Sequence, residues 1–153
     1  MSAAHQPAKA NKAPASPRHR AREFLVQGLY QHLVGGQDAA AILVQAEAAA
    51  GFDKAHRPLY DALLAGVLTN LPALQSLLEP HIARSWAEVS PIERSILLIA
   101  ACELRDHPET PWRVVLNEAI ELAKSYGGTD GHKFVNGVLD KLAPLLRPHE
   151  AVR

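Results

Sequence analysis

"SPIERSILLIAACEL", residues 90–104, reads as a helix with a marked start and no polar face. Ser90 is a capping residue type, and Pro91 suits the first helical position, where no N–H is needed. Glu93 stands three residues after Ser90, the spacing of a capping box. From Pro91 to Arg105 apolar side chains fall on nearly every face, which predicts a helix over 91–105 with other elements all round it. Such a helix needs amphipathic partners on every side.

The flanking sequence supplies them. Upstream, Leu25, Leu29 and Leu33 mark one face of a helix over 18–34 that stops at Gly35-Gly36. An Ala-rich helix near 38–50 stops at Gly51, and a third, about 54–69, centres on LYDALLAGVL. Pro72 fits the first turn of a fourth helix that reaches about 83. Downstream, Thr110-Pro111 opens a sixth whose Trp112, Leu116, Ala119, Ile120 and Ala123 keep the 3.6-residue period until Gly127-Gly128. A seventh starts at Thr129 or Asp130, whose side-chain oxygen is expected to cap it. It turns Phe134 or Val135, Val138, Leu139 and Leu142 inward, and Pro144 and Pro148 are expected to end it. The pattern predicts an all-α fold, a compact bundle of about seven helices with short connections. It fills one domain over 18–148, between a basic leader (1–17) and a short tail (149–153).

The leader, MSAAHQPAKANKAPASP, is rich in Ala, Pro and Lys and is expected to be disordered in the free protein. The 153 residues carry zero formal net charge, unevenly placed. Residues 1–22 hold five cations and no acid, and the rest of the chain balances them at −5. A basic arm on a mildly acidic body predicts local contact with a polyanion instead of a general attraction. Cys102, the one cysteine, lies in the apolar run ILLIAAC. It can form no internal disulfide, which suits a cytoplasmic setting. A buried structural thiol is expected, because nucleophilic cysteines need an accessible, electropositive site. No apolar run approaches the ~20 residues of a membrane span, and nothing resembles a signal peptide.

Chemistry is sparse. The eight histidines never fall three or four residues apart, and neither HExxH nor CxxC occurs, so no metal site is expected. Without GxGxxG or a P-loop no cofactor is expected either. Gly28 and Gly137, inside helices, are expected to permit close packing. The stretch KSYGGTDGHKFVNGVLDKL (124–142) gathers Lys124, Tyr126, Asp130, His132, Lys133 and Asn136 about a Gly-Gly turn. Asp130 and His132 are two apart at a helix start, so they diverge, and no nucleophile accompanies them. No catalytic residue is assigned.

Binding explains the turn better. A helix N-terminus suits phosphate, Lys124 and Lys133 add charge on either side, and Tyr126 and Phe134 offer rings to an unpaired base. Phe134 would suit a core position equally well. PRHRAREF (17–24) places Arg18 and Arg22 one turn apart, with His19 and Arg20 widening the positive surface. Cations at a helix N-terminus oppose its dipole, an arrangement that makes sense where an anion normally lies. The two segments together predict a surface for single-stranded RNA.

RHRAREF…QGLYQ (18–31), LLAGVLTN (63–70), SPIERSILLIAACEL (90–104) and PWRVVLNEAIELAKSYGGTDGHKFVNGVLDKLAP (111–144) resemble, in order, the bacterial NusB family of transcription antitermination factors. The resemblance implies a seven-helix bundle in two subdomains and no enzymatic activity. It implies binding to boxA, a short single-stranded RNA element, together with NusE, a ribosomal protein of the small subunit. Within the RNA polymerase antitermination complex this would promote processive transcription of rRNA operons. Carried over by position, it assigns RNA contact to Arg18, His19, Arg20, Arg22, Tyr30, Tyr126, Asp130, Lys133 and Phe134, and contact with NusE to Glu93. His19 replaces an arginine common in relatives, which suggests weaker or more pH-sensitive binding. Tyr126 stands where Phe is frequent, and Gly131 where Ser is common. Some relatives form homodimers that cover the RNA surface. Two other readings are an RNA-binding front module of the rRNA cytosine methyltransferase kind, without its catalytic domain, and a purely protein-binding helical adaptor.

Overall fold

The computed structural model of the chain describes residues 15–150. Most of the leader, residues 1–14, and the last three residues of the tail lie outside them. The helix that decides the fold, α5 (Pro91–Asp106), has eleven of its sixteen residues buried, so it is enclosed as its apolar pattern requires. The described residues form six further α-helices: α1 (Pro17–Gly35), α2 (Ala39–Ala48), α3 (Arg57–Thr69), α4 (Leu71–Leu78), α6 (Trp112–Tyr126) and α7 (Gly131–Leu146). No strand occurs among the described residues. Helix α5 packs against α1, α3, α4, α6 and α7, while α1–α3 form one group and α6–α7 the tightest pair of the other.

Local chemistry explains most boundaries. Gly36 and Gly51 take positive φ of 73° and 89°, the left-handed backbone that stops α1 and precedes the short turn leading into α3. The fourth helix is shorter than its pattern suggests. It tightens into a 3₁₀ turn at Glu79–His81, where Pro80 has no N–H to continue the α ladder. Ser90 caps α5 as expected, its Oγ accepting from the Glu93 N–H at 3.1 Å. Glu93 does not complete the capping box. Its side chain crosses to α7, where a Cβ built on Gly131 would lie 2.6 Å from Glu93 Oε2. A capping box forms one turn earlier instead, between Ser85 and Glu88.

Three further expectations change. Asp130 is the residue before α7, but its side chain makes no capping bond. At φ −113°, ψ 19° it is already half-helical, not in the extended conformation that turns a carboxylate back onto the helix start. Pro144 does not end α7. It sits in the last turn and the helix runs on to Leu146. Gly28 does permit a close approach, with Ile42 Cγ2 only 2.6 Å from a built Cβ, but Gly137 faces open space. Cys102 is fully buried under Gly66, and burial first, then the Asp106 charge, pushes its thiol up to about 12.

The end of α7 is tied to the centre by Arg147, a 7% exposed residue. Its Nε donates to the Leu104 carbonyl at 2.8 Å, and its Nη2 to those of Glu103, His107 and Thr110 at 3.2, 2.9 and 3.0 Å. The Leu104 carbonyl is one that the end of α5 leaves without a helical partner, and the same guanidinium also reaches the loop carbonyls of His107 and Thr110, so it fixes the α5–α6 connection. Its Nη1 donates to Glu150, whose other oxygen accepts from the Trp112 N–H at 2.7 Å and so caps α6. Glu150, placed in the tail by sequence, works as part of the bundle.

Candidate nucleic-acid interface

Helix α1 begins one residue before the basic run. Ser16 Oγ accepts from the His19 N–H at 3.0 Å, Pro17 occupies the first turn, and no acid lies there. The four expected cations then separate into two kinds. Arg18 is exposed and Arg20 half-buried, and neither enters an ion pair among the described residues.

Arg22 is 2% exposed and faces the core. Its Nε and Nη2 donate to the two carboxylate oxygens of Glu103 on α5 at 2.7 and 2.8 Å, and Glu118 on α6 lies 3.6 Å from Nη1. The expectation that Arg22 contacts RNA is therefore corrected. A bidentate, buried guanidinium has its fork already occupied and holds α1 to α5.

His19 is also engaged inward, with Nδ1 2.6 Å from Glu118 Oε1 and Nε2 3.4 Å from Glu23 Oε2. The bond to Glu118, then that to Glu23, raises its pKa from 6.5 to about 9 against the opposing effect of burial. The imidazole is thus a cation at neutral pH. Raised folded pKa means that its stabilising contribution is complete below about 6.5 and fades as pH rises through about 9. No titration of His19 should appear between pH 6 and 8 when its ring protons are followed by NMR, and a midpoint near the ordinary value would remove the ion pairs from this account.

The second segment sits at the other end of the same helix pair. His19 and Arg22 of α1 both meet Glu118 of α6, at 2.6 and 3.6 Å, and eight residues on Tyr126 lies close to Gln27, so α1 and α6 run in the same direction. Eight helical residues span about 12 Å. The arm and the Gly-Gly turn are therefore two ends of a strip, not one patch. Tyr30, 39% exposed, continues the strip beyond Gln27. Tyr126 is half-buried, and burial first, then the Glu23 charge, pushes its hydroxyl up. Lys124 is exposed.

At the start of α7, Asp130 pairs with Lys133 at 3.6 Å, both about three-quarters exposed. The free charge expected at Lys133 is thus partly offset. Phe134 is half-buried against the core, and the Arg84 guanidinium carbon lies 4.3 Å from its ring centroid. Glu93 is 8% exposed, behind Arg84 at 3.9 Å and against Gly131. Its position at Gly131 accounts for the glycine, since a side chain there must displace the carboxylate. Glu93 therefore offers little surface to a partner in this conformation.

Sequence reasoning missed Arg84, which has no motif around it, and Gln27 and Glu118, which lie inside the quoted segments QGLYQ and VVLNEAIELAK but were given no role there. Among the described residues no group of three or more His, Cys, Asp or Glu could hold a metal ion, and no single helix is long and apolar enough to cross a membrane.

Comparison with known proteins bears on the whole of this arrangement. The NusB family model matches residues 19–144. Transcription antitermination protein NusB of Dechloromonas aromatica is 49% identical over 150 residues, covering 98% of this chain and 92% of the relative. That of Azoarcus sp. is 57% identical over 134 residues, covering 87% and 86%. A solved structure of T. maritima NusB superposes with a TM-score of 0.72 at 28% identity, covering 92% of this chain and 95% of that one.

Proposed function

The chain belongs to the NusB family and is a transcription antitermination factor, and from that premise we propose that it acts by binding boxA-type single-stranded RNA together with NusE. The complex would form in the cytoplasm, on RNA polymerase transcribing rRNA operons, and the role is one of binding instead of catalysis. The observation that carries this is the strip along α1 and α6. It runs from Arg18 and Arg20, without ion pairs among the described residues, past His19 held as a cation, to Tyr30, Tyr126 and the lysines of the Gly-Gly turn. Phosphates would be met at the arm and bases at the aromatic end, the division expected for single strands. Glu93 would add its charge to the NusE contact from behind Arg84, which stays beside it over Phe134. Residues 18–148 would act as a single RNA-binding unit.

Titration of labelled boxA-type RNA against the full chain, with and without NusE, tests the proposal. RNA binding that NusE tightens is the expected result, and no binding under either condition would sink it. Asp130 gives a sharper check. Its carboxylate opposes phosphate by about 1 kcal/mol at 4 Å in water and also offsets Lys133. Since it makes no capping bond, Asp130→Asn should barely change stability; exposed pairs contribute ~0–1 kcal/mol. RNA affinity should rise about fivefold, the equivalent of ~1 kcal/mol. Weaker binding would mean that the pair holds Lys133 in a productive place.

A further inference from the structure

Arg84 differs from the chain's well-paired arginines. Arg22, Arg57, Arg105 and Arg147 all commit their N–H groups to carboxylates or carbonyls. Arg84 makes no such hydrogen bond; its guanidinium carbon stands 4.3 Å from the Phe134 ring centroid, one nitrogen lies 3.9 Å from Glu93 Oε1, and the side chain stays 45% exposed. Phe134 packs against the core and also has Arg84 over its ring. A base cannot stack on Phe134 while Arg84 lies there. What this corner presents is the guanidinium plane.

We propose that Arg84, laid on Phe134, is a binding step for one unpaired nucleobase of single-stranded RNA. The inference rests on the RNA-binding function proposed above and names a residue for it. Guanidinium planes take stacked bases as aromatic rings do, and arginine keeps its charge while stacked. The ring below fixes the plane of the guanidinium, and the carboxylate at its edge fixes its rotation, so little freedom is lost on binding. Beyond hydrogen-bond distance, Glu93 leaves the N–H donors available to the phosphate that follows the stacked base. Lys133, one residue before Phe134, stands on the same first turn of α7 and extends the cationic surface. The geometry thus assigns charge and stacking at this corner to one side chain from the α4–α5 connection.

The test uses the full chain with NusE and a boxA-type RNA in which each nucleotide in turn is made abasic. Arg84→Ala should weaken binding about 5- to 150-fold, the range for losing one stacked base. One abasic position that is costly with the wild type should become silent with this variant. Arg84→Lys keeps the charge but not the plane, so affinity should fall nearly as far at an unchanged salt slope. Arg84→Lys keeps a cation beside the 8% exposed Glu93 and should melt as the wild type does, whereas affinity of Arg84→Ala is read per folded molecule, since it leaves that carboxylate without its neighbouring charge. Arg84→Ala binding as tightly as wild type, or losing affinity equally at every abasic position, would overturn the assignment. Either result with an RNA-competent wild type leaves the broader function standing. Failure of the wild type to bind removes both.

Discussion

Arg22→Ala is expected to destabilise the fold by about 3–5 kcal/mol, the cost of leaving one partner of a buried ion pair unpaired. Glu103, 1% exposed, would be left in the interior without the guanidinium fork that takes both its carboxylate oxygens. Chemical denaturation should show the change as a lower midpoint. In a thermal scan it should appear as a fall of roughly 10 °C, at ~2–4 °C per kcal/mol for a chain of this size. The double change Arg22→Met with Glu103→Leu removes both charges and keeps volume, and it should recover most of the loss. RNA affinity per folded molecule should stay near wild type in the double variant, because Arg22 presents no surface. A stable Arg22→Ala protein with a reduced salt slope for RNA would show the reverse: an arginine that leaves Glu103 to reach phosphate.

The second large effect is expected at Arg147. Replacing it with alanine should cost about 2–4 kcal/mol, since buried acceptors that lose their donor carry penalties of ~1–3 kcal/mol each and water can reach some of them. Lysine should not restore the loss. Its ammonium is a compact point donor, whereas the guanidinium fork reaches carbonyls of Glu103, Leu104, His107 and Thr110 from fixed positions. Hydrogen exchange provides a local readout. Amides from about 104 to 115 should lose protection in Arg147→Ala more than those of α3, because the α5–α6 connection and the cap on α6 loosen together. Uniform loss across the molecule would make Arg147 a general core residue instead of an organiser of that connection.

Most of the fold was legible because helices announce themselves locally. Period, capping residues and glycine stops all lie within a few positions of the element they define, and α5 could be placed centrally from its lack of a polar face. The site was legible only in part, and for a physical reason. Arg18 and Arg22 share a helical spacing with very different fates, because the partner that buries Arg22 lies on another helix, 81 residues along the chain. No local pattern distinguishes an arginine bound for water from one bound for a carboxylate so far away. Asp130 and Glu93 misled in a related way. Each has the residue type and spacing of a cap, but Asp130 is half-helical and Glu93 is drawn to the start of α7 by space that Gly131 leaves open. Arg84 carried no signal at all, since its contact with Phe134 joins the α4–α5 connection to the first turn of α7, 50 residues along the chain.

The reach of Arg22 across the chain also matters while the protein is being made. At roughly 5–20 residues per second, Glu103 is polymerised some 4–16 s after Arg22. Until it and then Glu118 leave the ribosome, the first helix carries an unanswered cationic face in a crowded, polyanionic surrounding. Its docking is thus postponed to the late stage of synthesis, when α5 and α6 become available to receive it. A nascent chain halted before residue 103 could form helical turns but could not lock the first of them in place, and would be an early target for chaperones or proteases.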